Sequence, residues 1–348
     1  GSGYRPQQCG PAGEQRASDA YIFNVYAEKI NTKGLRQMKN NPFKYSLDNK
    51  RYHTLHYSNM QRYGRKIFKA VLECGFTCPN IDGTKGRGGC IFCDGGSGYF
   101  TSPGMSVTEQ LSSEYRRIAA KHGNNAPVIA YFQANTNTYA DTGILRRMYE
   151  EAIAFRHTIG ISIGTRADCL SDEVLDLLSE INSRTDLTVE LGMQTMHDST
   201  IEMINRCCTH KEFLEGYHSL KKRGIRTCVH LINGLPGETT KMMLESAREA
   251  ARLHPDGIKL QMLHIIRGTH LAGMYAENPF ELLTREQYID IIVKQLELLP
   301  PETVIERITG DGDKSKLIAP MWSTDKISVL GGIDKRMAEL DTWQGRIY

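Results

Sequence analysis

An α/β architecture, an incomplete (β/α)6 barrel, is what this 348-residue sequence predicts, and three observations carry the prediction. Six short apolar runs rich in Val, Ile and Leu read as buried parallel strands. Amphipathic helical segments separate them, so β–α units follow in series and right-handed crossovers give a parallel sheet. Polar side chains recur at the C-terminal ends of the runs, the edge where parallel α/β folds build their sites. Six units are too few for the usual eight-stranded barrel, so an open, splayed barrel is expected rather than a flat doubly wound sheet.

Residues 1–40 are polar and weakly periodic, as in a flexible N-terminal arm, with one helix predicted near 20–30. The strands are expected at 67–73, 128–132, 158–163, 187–191, 226–232 and 258–263. Ser106-Val-Thr-Glu109 and Thr284-Arg-Glu-Gln287 fit the capping box, in which a hydroxyl and a carboxylate or amide satisfy two free backbone donors. Ser171-Asp-Glu opens a helix with acids in the first turn, where the helix dipole favours them. Helices near 140–156, 210–223 and 239–254 complete the alternation, and a short one between Thr195 and His210 brings Arg206 to the barrel mouth. Beyond Pro300 come a further strand at 303–308, a glycine-rich loop and short helices. The predicted division is an arm (1–40), a partial barrel with a basic N-terminal extension (41–300) and a C-terminal α+β addition (301–348).

Hydrophobic residues make up 40% of the chain, charged ones 24%, and the net charge is +3, enough apolar material for a sizeable core. No apolar stretch approaches the roughly 20 residues of a membrane span, so no membrane role is expected. Nine cysteines form no disulfide-like ladder. Cys169, Cys207, Cys208 and Cys228 fall among predicted helices and strands as small hydrophobes. With no charged-then-apolar leader, this predicts a reducing cytoplasm. The charge is uneven: between residues 31 and 70, ten Lys and Arg face one acid, Asp48. Phe43, Tyr45, Tyr52, Tyr57, Tyr63 and Phe68 interleave with them. Cations beside stacking surfaces suit a polyanion with exposed bases; a solvated basic face over core aromatics is the competing explanation.

The sharpest chemical signal is Cys78-Pro-Asn-Ile-Asp-Gly-Thr-Lys-Gly-Arg-Gly-Gly-Cys90-Ile-Phe-Cys93, a thiolate triad on a glycine-rich loop after the first strand. Cysteine thiolates hold iron–sulfur clusters, usually four per [4Fe–4S] unit, so a triad leaves one iron open to another ligand. Structural zinc is the competing use of the same donors, with Cys74 as a tempting fourth. Later strands end in Tyr131-Phe-Gln-Ala-Asn-Thr-Asn-Thr-Tyr139, Ser162-Ile-Gly-Thr-Arg166-Ala-Asp168, Glu190-Leu-Gly-Met-Gln194-Thr195, His230-Leu-Ile-Asn233 and His264-Ile-Ile-Arg267. Singly, each has a duller role: His230 as a satisfied buried histidine, Glu190 as a partner for Arg166. Five in register argue for a site. Asn233-Gly-Leu-Pro-Gly-Glu238 adds glycines that let backbone approach a ligand closely.

Over roughly residues 40–340 these stretches resemble the radical S-adenosylmethionine (SAM) superfamily, and within it bacterial proteins similar to the radical-SAM half of the Elongator catalytic subunit. The matching residues are Asn41-Pro-Phe-Lys-Tyr-Ser, Lys50-Arg-Tyr-His-Thr-Leu, Cys78-Pro-Asn-Ile-Asp-Gly-Thr-Lys-Gly, Gly89-Cys-Ile-Phe-Cys93, Thr136-Asn-Thr-Tyr-Ala, Gly192-Met-Gln-Thr and His230-Leu-Ile-Asn-Gly-Leu-Pro-Gly-Glu-Thr239. The Cys-x11-Cys-x2-Cys spacing departs from the commoner x3/x2 form and looks like this subgroup's own. At Cys207-Cys208 the chain departs from an expected Arg-Gly-His.

The resemblance implies a TIM-like partial barrel with a [4Fe–4S] cluster on Cys78, Cys90 and Cys93 and SAM on the open iron. It implies SAM contacts from Gln133, Asn135 and Thr136, from Ser162 and Arg166 at the ribose or carboxylate, and from Gln194, Arg206 and His230. Cleavage of SAM to methionine and a 5′-deoxyadenosyl radical would follow, fed by an electron donor such as flavodoxin or ferredoxin. The implied substrate is tRNA, whose wobble uridine would go from a carboxymethylaminomethyl to an aminomethyl side chain. Arg51, Arg62 and Lys66 would then contact phosphate. A radical SAM enzyme acting on a small molecule, and a non-catalytic zinc-stapled RNA-binding protein, are the competing functional classes.

Overall fold

The computed structural model describes residues 41–94, 104–133, 135–310 and 312–348. The predicted arm and its helix near 20–30 lie outside the described residues. Strands β1 (Phe68–Leu72), β2 (Val128–Phe132), β3 (Thr158–Thr165), β4 (Asp186–Gln194), β5 (Arg226–Asn233) and β6 (Gly257–Met262) are the predicted six, with ends displaced by three residues at most. After the two-residue β7 (Ile265–Ile266), β8 (Val304–Arg307) joins them to make one seven-stranded sheet in the order β1-β2-β3-β4-β5-β6-β8. Every pair in it is parallel. The edges β1 and β8 are not paired with each other, yet Lys69 Nζ of β1 reaches Glu306 Oε2 of β8 at 3.0 Å. The sheet is therefore curled into an open half-barrel, with seven strands where the sequence predicts six and a strand-bearing tail.

Helices α1 (Leu55–Tyr63), α2 (Val107–His122), α3 (Thr142–Ala154), α4 (Asp172–Asn182), α5 (Asp198–Met203), α6 (His210–Lys222), α7 (Thr240–Leu253), α8 (His270–Glu277), α9 (Arg285–Leu298) and α10 (Lys326–Glu339) accompany the strands. Both predicted capping boxes form, at Ser106 with Glu109 and at Thr284 with Gln287, and a third forms at Thr209 with Glu212. Apolar faces of α2, α4, α6 and α7 bury Leu111, Leu178, Leu220 and Ala247 with the strand residues Leu72, Ile163, Val189 and Val229 in one core. Full burial of each large aliphatic side chain contributes about 1.5–3 kcal/mol. Three buried tyrosines keep their hydroxyls satisfied by donating to carbonyls, Tyr149 to Asn137 at 2.5 Å, Tyr217 to Leu253 at 2.7 Å and Tyr288 to Ile308 at 2.6 Å. Among the described residues no helix is long and apolar enough to cross a membrane.

The basic stretch before β1 is sewn to the C-terminal residues. Ile305 N–H donates to the His53 carbonyl at 2.8 Å, extending the β8 edge through a bridge to Thr54. The buried Gln344 accepts from His53 N–H at 2.8 Å and donates to the carbonyls of Pro300 and Thr303. A small antiparallel pair, β7 with β9 (Leu317–Ala319), follows the ends of β6 and β8.

Candidate active site

The cysteine loop leaves the end of β1 and is held by its own turns. The Cys78 carbonyl accepts from Ile81 and Asp82 N–H at 2.8 and 3.1 Å, and the Cys90 carbonyl from Cys93 N–H at 2.9 Å. Ile91, between two of the cysteines, is buried in a second apolar cluster with Ile204, Leu235, Leu263, Ile265 and Leu271. Its N–H donates to Ile204 and its carbonyl accepts from Leu271, so an apolar anchor pins the loop to two helices. Asn80 is fully buried and donates to the Asn205 carbonyl at 2.5 Å. A Cβ at Gly86 would lie 2.2 Å from Asn80 Oδ1 and 2.6 Å from Cys207 Sγ, so only glycine fits there. Cys207, where a different residue type was expected, packs behind the loop, and its carbonyl accepts from Arg166 at 2.8 Å.

At the C-terminal ends of the strands lies a cavity of about 380 Å³, lined by Cys78, Cys90, Cys93, Gln133, Asn135, Thr136, Arg166, Gln194, Arg206 and His230. Its size is that of a small-molecule site. Asn135, Gln194, Asn205 and Cys207 around it are non-glycine residues with positive φ, a conformation kept where surrounding contacts enforce it. The enforcing contacts are visible. Asn135 Nδ2 donates to the Phe76 carbonyl at 2.8 Å, Asn205 Nδ2 to Gly89 at 2.8 Å, and Gln194 sits at a register shift of β4 against β5. Arg166 is bidentate to Asp168 at 2.9 and 2.8 Å and donates to the Arg206 and Cys207 carbonyls, clamping one rim. Burial pushes the Asp168 carboxyl up, but Arg166 and Lys85 outweigh it and bring its pKa down to about 2.

Beneath the cavity every strand of the sheet sends a polar side chain inward: Lys69, Tyr131, Ser162, Glu190, His230, Lys259 and Glu306. Glu190 is the hub. It pairs with Lys259, with Lys69 Nζ at 2.8 Å and with His230 Nε2 at 2.9 Å, and accepts from Tyr131 Oη at 2.8 Å and Ser162 Oγ at 2.7 Å. Both lysines also lie over the Tyr131 ring, at 4.7 and 4.8 Å from its centroid. Burial pushes the Glu190 carboxyl up, yet Lys259 and Lys69 prevail and hold it well below the ordinary carboxylate range. Burial, reinforced by Lys259, pushes the His230 imidazole down.

The simple ion pair offered as an alternative role for Glu190 does not form, and Ser162 lies deeper than the rim. Glu190 does not pair with Arg166, whose guanidinium belongs to Asp168 and the rim carbonyls. Ser162, expected at the ribose or carboxylate of a cofactor, is buried and does not line the cavity; its hydroxyl supports Glu190. Sequence reasoning missed Lys259, Gln261 and Arg307 as lining residues. The signal was present in part: Lys259 and Gln261 alternate with apolar residues in Ile258-Lys-Leu-Gln-Met262, the period-two mark of one inward face.

The phosphate-contact candidates lie elsewhere. Arg62 pairs with Asp186, the first residue of β4, and Lys66 sits before β1 with Nζ 5.1 Å over the Phe68 ring. Both are at the N-terminal ends of the strands, away from the mouth. Arg51 donates to Asp341 at 2.8 Å. Of the interleaved aromatics, Phe43 and Tyr52 are core residues. Cys74 packs against the main core, and burial pushes its thiol up to about 12, which ill suits a metal ligand. Among the described residues no three His, Cys, Asp or Glu side chains stand in a ready-made group for one ion.

An open α/β barrel with three cysteines and a charged polar floor lining one cavity at its mouth is the architecture of an enzyme whose site lies at the strand ends. The chain belongs to the radical SAM superfamily, whose sequence profile matches residues 81–250, and the radical SAM C-terminal domain profile matches residues 255–339. It is 44% identical over 315 residues to the uncharacterized protein YtqA of Bacillus subtilis, spanning 89% of this chain and 97% of that one. It is 28% identical over 284 residues to Elongator complex protein 3 of Mus musculus, covering 70% of this chain and about half, 51%, of that protein. An archaeal Elp3 structure from Methanocaldococcus infernus shares the fold with a TM-score of 0.61 at 15% identity, over 80% of this chain and 64% of that chain.

The cofactors are accordingly a [4Fe–4S] cluster and SAM, and the zinc reading of the triad falls away. The residues present fit them. Three thiols open into one cavity from a glycine-walled loop, and all-thiolate donor sets suit iron–sulfur clusters.

Proposed function

We propose that this radical SAM enzyme acts on tRNA, removing the carboxymethyl part of a carboxymethylaminomethyl group on the wobble uridine to leave an aminomethyl side chain. Cys78, Cys90 and Cys93 hold the cluster, and Gln133, Asn135, Thr136, Gln194, Arg206 and His230 surround SAM. Arg166 acts indirectly, fixing the Arg206 and Cys207 carbonyls. When bound, the cluster and SAM supply homolytic hydrogen abstraction, chemistry that the side chains cannot perform themselves. The protein's part is to orient, to exclude water and to recognise.

The observation that carries this reading is the composition of one cavity at the strand ends: the thiol triad, the Glu190-bound Lys259 and Arg307 line the same space. A substrate carbon between an amine and a carboxylate suits such chemistry, because both substituents stabilise the radical left by hydrogen abstraction; loss of one further electron, to a one-electron acceptor such as the oxidised cluster, would give an imine that water hydrolyses to the aminomethyl group and glyoxylate. Arg51, Arg62 and Lys66 would meet phosphates of the RNA body. The eight described cysteines are all free thiols, which supports a reducing cytoplasm, where flavodoxin or ferredoxin would serve as electron donor. A small-molecule substrate is the second reading, favoured by the internal pairing of Arg51 and Arg62.

An anaerobic assay separates the two. Cluster-loaded protein, SAM and reductant are mixed with tRNA carrying carboxymethylaminomethyl uridine, beside a Cys90→Ala control. Deoxyadenosine and aminomethyl uridine rising together, and neither in the control, is the expected result. Deoxyadenosine without any change in the tRNA would move the substrate to small molecules.

A further inference from the structure

Eleven residues separate Cys78 from Cys90, so two donors for one cluster start far apart along the chain. The backbone turns the intervening loop back on itself: Lys85 N–H donates to the Pro79 carbonyl and Gly89 N–H to the Asn80 carbonyl, both at 2.8 Å. One side chain then spans the turn. Asn80 is fully buried and does not line the cavity. Its Nδ2 donates to the Asn205 carbonyl at 2.5 Å and to the Cys90 sulfur at 3.8 Å. A primary amide carries two N–H donors, so both bonds form at once. The carbonyl, an acceptor only, fixes which way the amide faces; reversed, its oxygen would meet a carbonyl and a thiolate.

Asn205 closes the loop from the other side. It holds a φ of 50°, which asparagine tolerates, and its own amide donates to the Arg87 and Gly89 carbonyls at 3.1 and 2.8 Å. Contacts that do not involve Cys90 thus hold Asn80 in place, and its second N–H is aimed at that sulfur in advance.

A hydrogen bond donated to a ligand sulfur stabilises the negative charge there, more in a buried setting than in water. The reduced cluster carries one electron more than the oxidised one, so the same N–H favours the reduced state. Hydrogen bonds to sulfur are among the levers that set cluster potentials. We propose that Asn80 is a positioning residue of the cluster, closing the long cysteine loop through Asn205 and donating to Cys90 so that the cluster accepts its electron more readily. That electron comes from the donor protein, flavodoxin or ferredoxin in class, and no bond at the asparagine is made or broken. This rests on the assignment of Cys78, Cys90 and Cys93 to the cluster.

A redox titration of cluster-loaded protein, followed by electron paramagnetic resonance, tests it. Asn80→Leu keeps the shape and removes the donors, whereas Asn205→Gly keeps the positive φ and the carbonyl but loosens the loop. At a fixed potential Asn80→Leu should lower the ratio of reduced to oxidised cluster about tenfold (59 mV for one electron). Asn205→Gly should leave that ratio unchanged. Wild-type protein with asparagine labelled isotopically at the side-chain nitrogen should show that nitrogen coupled magnetically to the reduced cluster, a coupling that Asn80→Leu loses. An unshifted potential in Asn80→Leu, an equal shift in Asn205→Gly, or a nitrogen coupling that persists in Asn80→Leu would overturn the proposal. So would a wild type with no such coupling, even where Asn80→Leu takes up no cluster. A Cys90→Ala variant that keeps a complete cluster would instead overturn the cysteine assignment, and the proposal with it.

Discussion

At the N-terminal ends of the strands, and where the basic stretch meets the C-terminal residues, cations are neutralised one by one. Arg62 pairs with Asp186, Lys50 with Asp334 and Arg51 with Asp341, each acid more than a hundred residues away in sequence. Inside the mouth, Lys69, Lys259 and His230 converge instead on the single carboxylate of Glu190. Lys69 belongs to the dense basic run, yet it works in the barrel interior. A run of like charges along the chain therefore says little about surface potential, because each cation's partner is chosen by the fold. The polar floor has no run at all: it takes one residue from each strand, and only the barrel makes them neighbours.

The largest difference between the two regions should appear on removing ligand thiols. Any of Cys78→Ala, Cys90→Ala or Cys93→Ala should abolish deoxyadenosine formation and lower bound iron, measured by product mass spectrometry and metal analysis. Next comes the floor. Lys259→Met leaves Glu190 short of a partner in a buried setting, a change expected to cost about 3–5 kcal/mol in urea unfolding. Adding Glu190→Gln to that variant should recover part of the loss; no recovery would mean that packing, rather than charge, dominates the floor.

A pH scan sharpens the contrast at intermediate size. The His264 pKa lies near 4 in the folded protein against 6.5 for the ordinary group. Between those values the unfolded chain binds the extra proton, so this contribution is complete above 6.5 and is lost as pH falls toward 4. His264→Gln should flatten that part of the stability profile, and an unchanged slope would contradict the neutral, buried imidazole. Smallest are the paired cations of the basic stretch. Arg62→Ala should change stability by about 1 kcal/mol or less, as partly exposed ion pairs do. In RNA titrations over salt, Lys66→Ala should reduce the slope by about one phosphate contact. Arg51→Ala should reduce it less, because Asp341 already shares that charge.

Much of the fold was legible. Apolar runs such as Val128–Phe132 carry their own signal, and the capping pairs at Ser106 and Thr284 are local in sequence. Val304–Arg307 is a four-residue strand paired to β6 across a long insertion, so its place as the seventh strand is a tertiary outcome. The rim of the site could be read because polar residues cluster after each strand. Part of its floor could be read too, in Tyr131, Ser162, Glu190 and His230 at the strand ends, but Lys259 and Arg307 could not, since they sit singly in strands that otherwise read as buried. The mistaken Glu190–Arg166 pairing has the same origin: Arg166 has an acid two residues away at Asp168, while Glu190 collects partners from strands on both sides.

Electron paramagnetic resonance of the reduced, cluster-loaded protein during a SAM titration tests the central claim, that the thiol triad and the polar mouth form one cofactor site. One [4Fe–4S] cluster per chain is expected, with a spectrum that shifts on adding SAM and a signal lost in each of the three cysteine variants. A wild-type spectrum unmoved at saturating SAM, or a cysteine variant that keeps both cluster and shift, would contradict it.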